Sequence, residues 1–211
     1  MKKFFVIAML CVVPISFAGA KPTNINLEKR WYFGGGVNYS FENFKDEMDI
    51  GDWDNALGLD IKAGYCITDF FALEFMFQYL DEFKYDETVR EYVYISPSWY
   101  YYDVDYKATV SLYNFTINGK GFIPIKGIVK PYGILGFGYA YGKAKEKITI
   151  AGISDTETDK ESDLCGRIGA GLDIFLSEQF ALEGEVSYFM GFNDIDKIRY
   201  TSLSLNAIVF F

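Results

Sequence analysis

The chain has no histidine among its 211 residues, and that absence bounds the chemistry it can perform. Histidine is the side chain that titrates near neutral pH, and it is the usual general base and a usual zinc ligand. Without it, a Ser or Asp nucleophile has to rely on Lys or Glu as its base. With Cys11 in the segment read below as a signal peptide, zinc is left with Cys66 and Cys165, 99 positions apart. The reading is of a non-enzymatic protein with no cofactor and no metal centre.

What remains is the chemistry of charges at strand spacing. Lys62, Glu74, Lys120, Arg167, Glu183 and Glu185 all sit within apolar or glycine-rich segments. Buried charges must pair, because an unpaired one costs several kcal/mol. Glu74 is expected to stand near Lys62, with Lys120 about level, and Arg167 a diagonal step from Glu183 and Glu185. A second group is aromatic: Tyr92, Tyr94, Trp99, Tyr100, Tyr101 and Tyr102 lie in the polar stretch Asp81–Tyr106. Such side chains supply amphipathic contact area for recognition; alternatively they extend strands and form an interfacial girdle. A third group, Asp46, Glu47, Asp49, Asp52 and Asp54, offers carboxylate oxygens to a divalent cation but lacks the spacing of a calcium loop. A merely solvated acidic loop is the plainer reading.

These residues need elements to hold them, and the elements repeat with period two. Eight alternating segments are expected: Trp31–Phe41, Ala56–Cys66, Phe70–Leu80, Lys107–Ile123, Ile128–Gly142, Leu164–Phe175, Phe180–Met190 and Arg199–Phe211. Most are near the roughly ten residues that a tilted strand needs to cross an outer-membrane core. In the fourth, Val110 and Leu112 fall out of step with Phe115 and Ile117, which predicts a bulge near Leu112 and Tyr113. Connections alternate between short turns (67–69, 124–127, 176–179) and long polar excursions (42–55, 81–106, 143–163), with a shorter one at 191–197. Short turns on one side and long loops on the other are the pattern of an outer-membrane barrel.

Size decides which face is inside. One face carries Trp31, Phe33, Leu59, Phe75, Leu135, Phe137 and Leu205; the other carries Gly34, Gly36, Asp60, Lys62, Glu74, Gly136, Arg167 and Glu185. An eight-stranded interior has room for side chains and little more, so the small and charged face must point inward and the aromatic face toward lipid. Cys66 and Cys165 then fall at opposite ends, beyond the ~7 Å reach between Cα atoms that a disulfide allows.

The net charge of −9 argues against a nucleic-acid partner. Residues 1–20 read as a cleaved signal peptide, with Lys2 and Lys3, an apolar run from Phe4 to Val13, and Ala18-Gly19-Ala20. The remaining 21–211 is expected to be one barrel domain and, with no feature asking for a second chain, a monomer. The chain ends on an alternating strand in which Leu203, Leu205, Ala207, Val209 and Phe211 share one face and Ser202, Ser204 and Asn206 the other.

The hairpins Ile67-Thr-Asp-Phe-Phe-Ala-Leu-Glu74 and Leu176-Ser-Glu-Gln-Phe-Ala-Leu-Glu183, the segment Lys130-Pro-Tyr-Gly-Ile-Leu-Gly-Phe-Gly-Tyr139 and the final Phe211 resemble the eight-stranded outer-membrane barrels typified by OmpA, OmpX and OmpW. The resemblance covers Trp31–Phe211 and implies an all-β, antiparallel up-and-down transmembrane barrel in the cell outer membrane. It assigns Leu203, Leu205, Val209 and Phe211 to the signal read by the barrel assembly machinery. It also implies surrounding lipid, and a host or cell-surface partner reached through the loops. Enzymes of this kind of barrel resemble one another in needing a histidine base, which this chain lacks. The lumen charges then form either a gate, opening by exchange of partners, or a static polar core. Three functions are expected from these readings. The first is a surface protein, structural or adhesin-like, acting through its loops. The second is a narrow OmpW-like channel for small solutes, and the third a soluble periplasmic lipid-binding barrel.

Overall fold

The computed structural model describes residues 25–43, 53–95, 98–150 and 153–211. The expected signal peptide, and Asp46, Glu47, Asp49 and Asp52 of the acidic loop, lie outside the described residues. Eight strands follow one another around a closed ring: β1 Arg30–Glu42, β2 Ala56–Thr68, β3 Phe71–Ile95, β4 Ser98–Phe122, β5 Val129–Ile150, β6 Ile153–Phe175, β7 Phe180–Gly191 and β8 Arg199–Phe210. Every neighbouring pair is antiparallel. Strand β8 closes on β1 with Tyr32 opposite Phe210 and Glu42 opposite Tyr200, so within the barrel wall no backbone edge is left free.

The two faces sort as size dictates. Phe33, Leu59, Leu135, Phe137 and Leu205 are all more than half exposed on the outside, an apolar band that only a lipid medium tolerates. Tyrosines bound it above: Tyr79 is opposite Tyr113 and Tyr113 opposite Tyr141, with ring centroids 5.0 and 6.0 Å apart. Trp31 and Tyr65 bound it below, 4.7 Å apart. From Trp31 to Tyr39 a strand rises about 20 Å along the barrel axis at ~3.3 Å per residue and a tilt near 40°.

The middle four strands correct the sequence reading. Strands β3 and β4 reach 25 residues each, and β5 and β6 reach 22 and 23. The excursions 81–106 and 143–163 are therefore largely continued hairpins rather than loops, pairing out to Ile95 opposite Ser98 and Ile150 opposite Ile153. Tyr92, Tyr94, Trp99, Tyr100, Tyr101 and Tyr102 fall in these extensions, with Tyr92 opposite Tyr101 and Tyr94 opposite Trp99. Of this group Tyr101 has a described side chain, and it is exposed. The bulge predicted in β4 is instead in β3, where Asp81 and Glu82 fall between the pairs Leu80–Leu112 and Phe83–Val110. Strand β4 never changes phase. Val110 and Leu112 point inward like Asn114 and Thr116, because above the charged layer the interior turns apolar.

That interior is stacked in layers. At the end of the barrel where β1 begins and β8 ends, Ile25, Leu27, Phe122, Ile134, Phe175, Ile208 and Phe210 form one cluster. At the opposite end Leu80, Phe83, Val110, Leu112, Phe189, Ile195, Ile198 and Tyr200 form another. The charged residues lie between them. The Cys66 and Cys165 thiols are free and buried, one in each cluster.

Candidate functional site

The lumen charges are brought together; Arg167 pairs with Glu185 as expected, while Lys62 and Lys120 find partners other than Glu74. Lys62, from β2, is opposite Met76 and diagonal to Glu74. Its ammonium nonetheless crosses the bore to β7, where it lies 2.6 Å from Glu183 Oε1 and 3.1 Å from Glu185 Oε2. Lys120, from β4, lies 2.6 Å from Glu183 Oε2 and 3.1 Å from Asp173 Oδ2. Arg167, from β6, pairs with Glu185 through Nη2 and donates to Ser187 Oγ at 3.3 Å. The result is one chain of alternating sign: Asp173, Lys120, Glu183, Lys62, Glu185, Arg167. Each interior member touches two opposite charges, and the six formal charges cancel.

Glu74 departs from expectation. It takes part in no ion pair among the described residues. Its carboxylate accepts from Tyr32 Oη at 3.0 Å and from Asn118 Nδ2 at 3.1 Å. Glycine makes this possible, since a Cβ on Gly64 would collide with the Tyr32 ring. The ring therefore lies flat across β2 and delivers its hydroxyl to β3. The same device recurs where Gly171 makes room for Tyr132. The Tyr132 hydroxyl donates to Glu185 Oε2 at 2.9 Å, while its ring centroid stands 3.8 Å from the Lys120 ammonium.

Sequence reasoning missed Asp173, Tyr32 and Tyr132. Asp173 lies in phase with Arg167, Gly169 and Gly171 along β6, so its inward direction was readable from parity alone. Above the charged chain lies a hydrogen-bonded layer built around Asp60. Asn38 Nδ2 and Gln78 Nε2 donate to Asp60 Oδ1 at 2.6 and 3.1 Å, and Tyr200 Oη donates to Gln78 Oε1 at 2.6 Å. Every member of both layers is nearly inaccessible. Such an arrangement ties strands together from within, and it leaves no substrate room.

Outside the barrel wall the extended strands form a four-stranded sheet, since β4 and β5 stay paired up to Val104 and Ile150. Arg90 Nε donates to Asp103 Oδ1 at 2.9 Å across the β3–β4 hairpin. That hydrogen bond and the guanidinium charge hold the Asp103 carboxyl below the usual carboxylate range. Among the described residues no cluster of His, Cys, Asp or Glu has the form of a metal centre.

A family profile described as outer membrane protein beta-barrel domain matches residues 8–211. Among solved structures, the chain is similar to Ail, the attachment invasion locus protein of Yersinia pestis, at 21% identity. That match covers 87% of this chain and 99% of Ail, with a TM-score of 0.53. It is also similar to Neisserial surface protein A, at 17% identity over 86% of this chain and 99% of that one, again with a TM-score of 0.53. No curated protein matches. Both structural likenesses concern the fold. The family match and the apolar outer band set aside the soluble lipid-binding barrel. The chain belongs to the outer membrane protein beta-barrel domain family.

Proposed function

We propose that this is a non-enzymatic surface protein that works through the sheet it raises above the membrane, and that its bore passes nothing. The observation that carries this reading is the layered interior. Apolar clusters stop both ends, and a fully paired charge chain fills the middle. A conduit would need that chain to break, and each of its ion pairs is sealed from water. By contrast, β3 and β4 continue about 50 Å beyond the tyrosine row at ~3.3 Å per residue, a costly investment in exposed backbone unless it meets something. The name of the similar Ail, attachment invasion locus protein, agrees with a role in attachment, as does exposed Tyr101 on the hairpin.

In this reading the signal peptide at 1–20 directs export. The outward residues Leu203, Leu205, Val209 and Phe211 serve recognition by the assembly machinery, and the barrel stands as a monomer in outer-membrane lipid. The lysines that face outward just above the tyrosines, Lys143 and Lys145 among them, are placed to meet anionic headgroups.

The test replaces Thr88–Asp105, whose flanking residues Glu87 and Tyr106 are paired, with Asn-Gly, a two-residue turn that closes a hairpin. Cells carrying this variant should display a normal heat-modifiable barrel but bind host or partner surfaces several-fold less than cells with the full sheet. Equal binding would remove the attachment reading. The channel reading has its own test in a planar bilayer, where no steady current is expected from purified protein. A steady current that vanishes with Arg167→Ala or Glu74→Gln would establish the conduit instead.

A further inference from the structure

Where the barrel wall passes into the projecting sheet there is a cavity of about 170 Å³, between the inward face of β5 and β6 and the connection from β7 to β8. Its floor is apolar. Val110, Ile195 and Ile198 line it, and all three are buried members of the upper interior cluster. Gly142 and Ala144 of β5 make the adjoining wall. A Cβ on Gly142 would stand 3.4 Å from Leu112 Cδ2 and 3.6 Å from Ile198 Cδ1. Those are ordinary contacts, so the glycine there widens the cavity and avoids no clash.

The remaining wall is acidic. Asp159 is opposite Ala144 and Glu161 opposite Gly142, so each carboxylate faces a residue too small to cover it. Glu146 completes the set. Among the described residues these three form no ion pair. Two lysines also border the cavity. Lys197 is already engaged within the protein. Lys143 lies between Gly142 and Ala144, and strand alternation turns its side chain to the opposite face. Three carboxylates against the one ammonium of Lys197 leave an excess of two negative charges beside an apolar floor. Glu157 faces Glu146 directly across the ladder, a like-charge pair whose repulsion a cation would relieve.

We propose that this cavity binds a short linear diamine, a dication with a methylene body such as tetramethylenediamine. Its two charges match the excess. Asp159 and Glu161 stand two residues apart on one face, roughly 7 Å at the rise of an extended strand. Four methylenes hold a pair of ammonium groups at a comparable separation. One ammonium then meets Glu161, and the other meets Asp159 together with Glu146, its diagonal neighbour on β5. The methylenes lie on Val110, Ile195 and Ile198. The size agrees as well, since a cavity of about 150 Å³ takes a body of six carbons such as benzene. Other cations fit less well. A monoamine neutralises half of the excess. A divalent metal ion needs several oxygens converging on one point, and among the described residues no acidic cluster has that form. The site does not depend on the attachment reading.

The experiment titrates the full protein, in zwitterionic lipid nanodiscs, with tetramethylenediamine, ethylenediamine, n-butylamine and magnesium ion, and follows the heat of binding. Tetramethylenediamine should bind with a stoichiometry of one. It should bind about tenfold more tightly than ethylenediamine, which has the same charge and two fewer methylenes to bury. Its advantage over n-butylamine and over magnesium should be at least as large. Half-molar salt should weaken it several-fold. Asp159→Asn combined with Glu161→Gln should abolish binding, whereas Glu178→Gln, in the turn at the far end of the barrel, should leave it unchanged. Ala144→Leu fills the cavity and keeps every charge, so it too should lose the diamine. If that variant fails to fold, Gly142→Ala serves in its place and should weaken binding several-fold. Equal affinity for the two diamines, or binding indifferent to the cavity-filling variants, would mean that exposed charge alone attracts the cation, and overturns the inference. Tighter binding of magnesium, or no heat with any amine, overturns it as well.

Discussion

Lys62 and Glu74 lie a diagonal step apart on neighbouring strands, and the two carry very different burdens. Lys62 alone joins Glu183 to Glu185, so Lys62→Met leaves two buried carboxylates sharing fewer cations. Breaking a buried pair from one side costs about 3–5 kcal/mol. That loss should appear as a lower midpoint in urea unfolding followed by gel mobility of the folded barrel. Glu74→Gln keeps an oxygen to accept from Tyr32 Oη, offers an N–H that Asn118 can accept by turning its amide, and removes no ion pair, so its cost should stay below about 1 kcal/mol. Equal losses for the two variants would refute the partition of the lumen into a charged chain and a separate Glu74 site. The lumen charges and the Arg167–Glu185 pair were legible from alternation and size, whereas the partners of Lys62 and Lys120 were not. A long ammonium can reach across an eight-stranded bore, and which acid it meets depends on strand tilt and stagger. Sequence spacing encodes neither directly.

Glycines in the wall act at the scale of the strand. Gly64 lies under the Tyr32 ring, while a Cβ on Gly184 would meet nothing within 4 Å. Gly64→Ala should therefore cost about 1–3 kcal/mol by overpacking, and Gly184→Ala should cost almost nothing. The same unfolding assay separates the two. In the projecting hairpin, the Arg90–Asp103 pair adds a pH-dependent element. The Asp103 carboxyl is held below its ordinary value, so the clasp is fully present above the unfolded carboxylate range and is lost as pH falls through the lowered value. Amide exchange at Thr88–Asp105, corrected for intrinsic rates, should be flat from neutral pH to about 5 and rise only in stronger acid. Arg90→Gln should abolish that rise.

Strand length is where sequence reasoning fell short. Within lipid, apolar and polar residues alternate and the eight crossings are plain. Above the lipid both faces are polar, so hydropathy loses its period and β6 reads as a loop. Another signal was present. From Asp155 to Asp163 every second residue is acidic, a period of two written in charge instead of hydrophobicity. The shifted bulge has a related cause. Val110 and Leu112 are apolar and so break the expected alternation with Phe115 and Ile117, yet they belong to the inner cluster at the outer end of the bore.

Taken as a whole, the molecule divides its labour by height. The barrel holds stacked apolar and charged layers, and above it stands a four-stranded sheet. Purified protein should therefore migrate as a compact species when unboiled and as an extended one after heating. Shortening the β3–β4 hairpin should change the size of both species without changing the temperature at which one converts to the other. A large drop in that temperature would mean that the projecting sheet helps hold the barrel together.

The chain Asp173, Lys120, Glu183, Lys62, Glu185, Arg167 has a bearing on how such a protein can change over generations. Because each interior member answers to two neighbours, no single replacement along it is neutral, and a swap at one place asks for another at the next. Related sequences should keep the whole run or exchange it as a block, with charges inverted or removed together. The ion pairs described in the sheet above join neighbouring strands only, such as Arg90 with Asp103. Lineages facing different hosts or neighbours can rewrite it freely while inheriting the same cylinder.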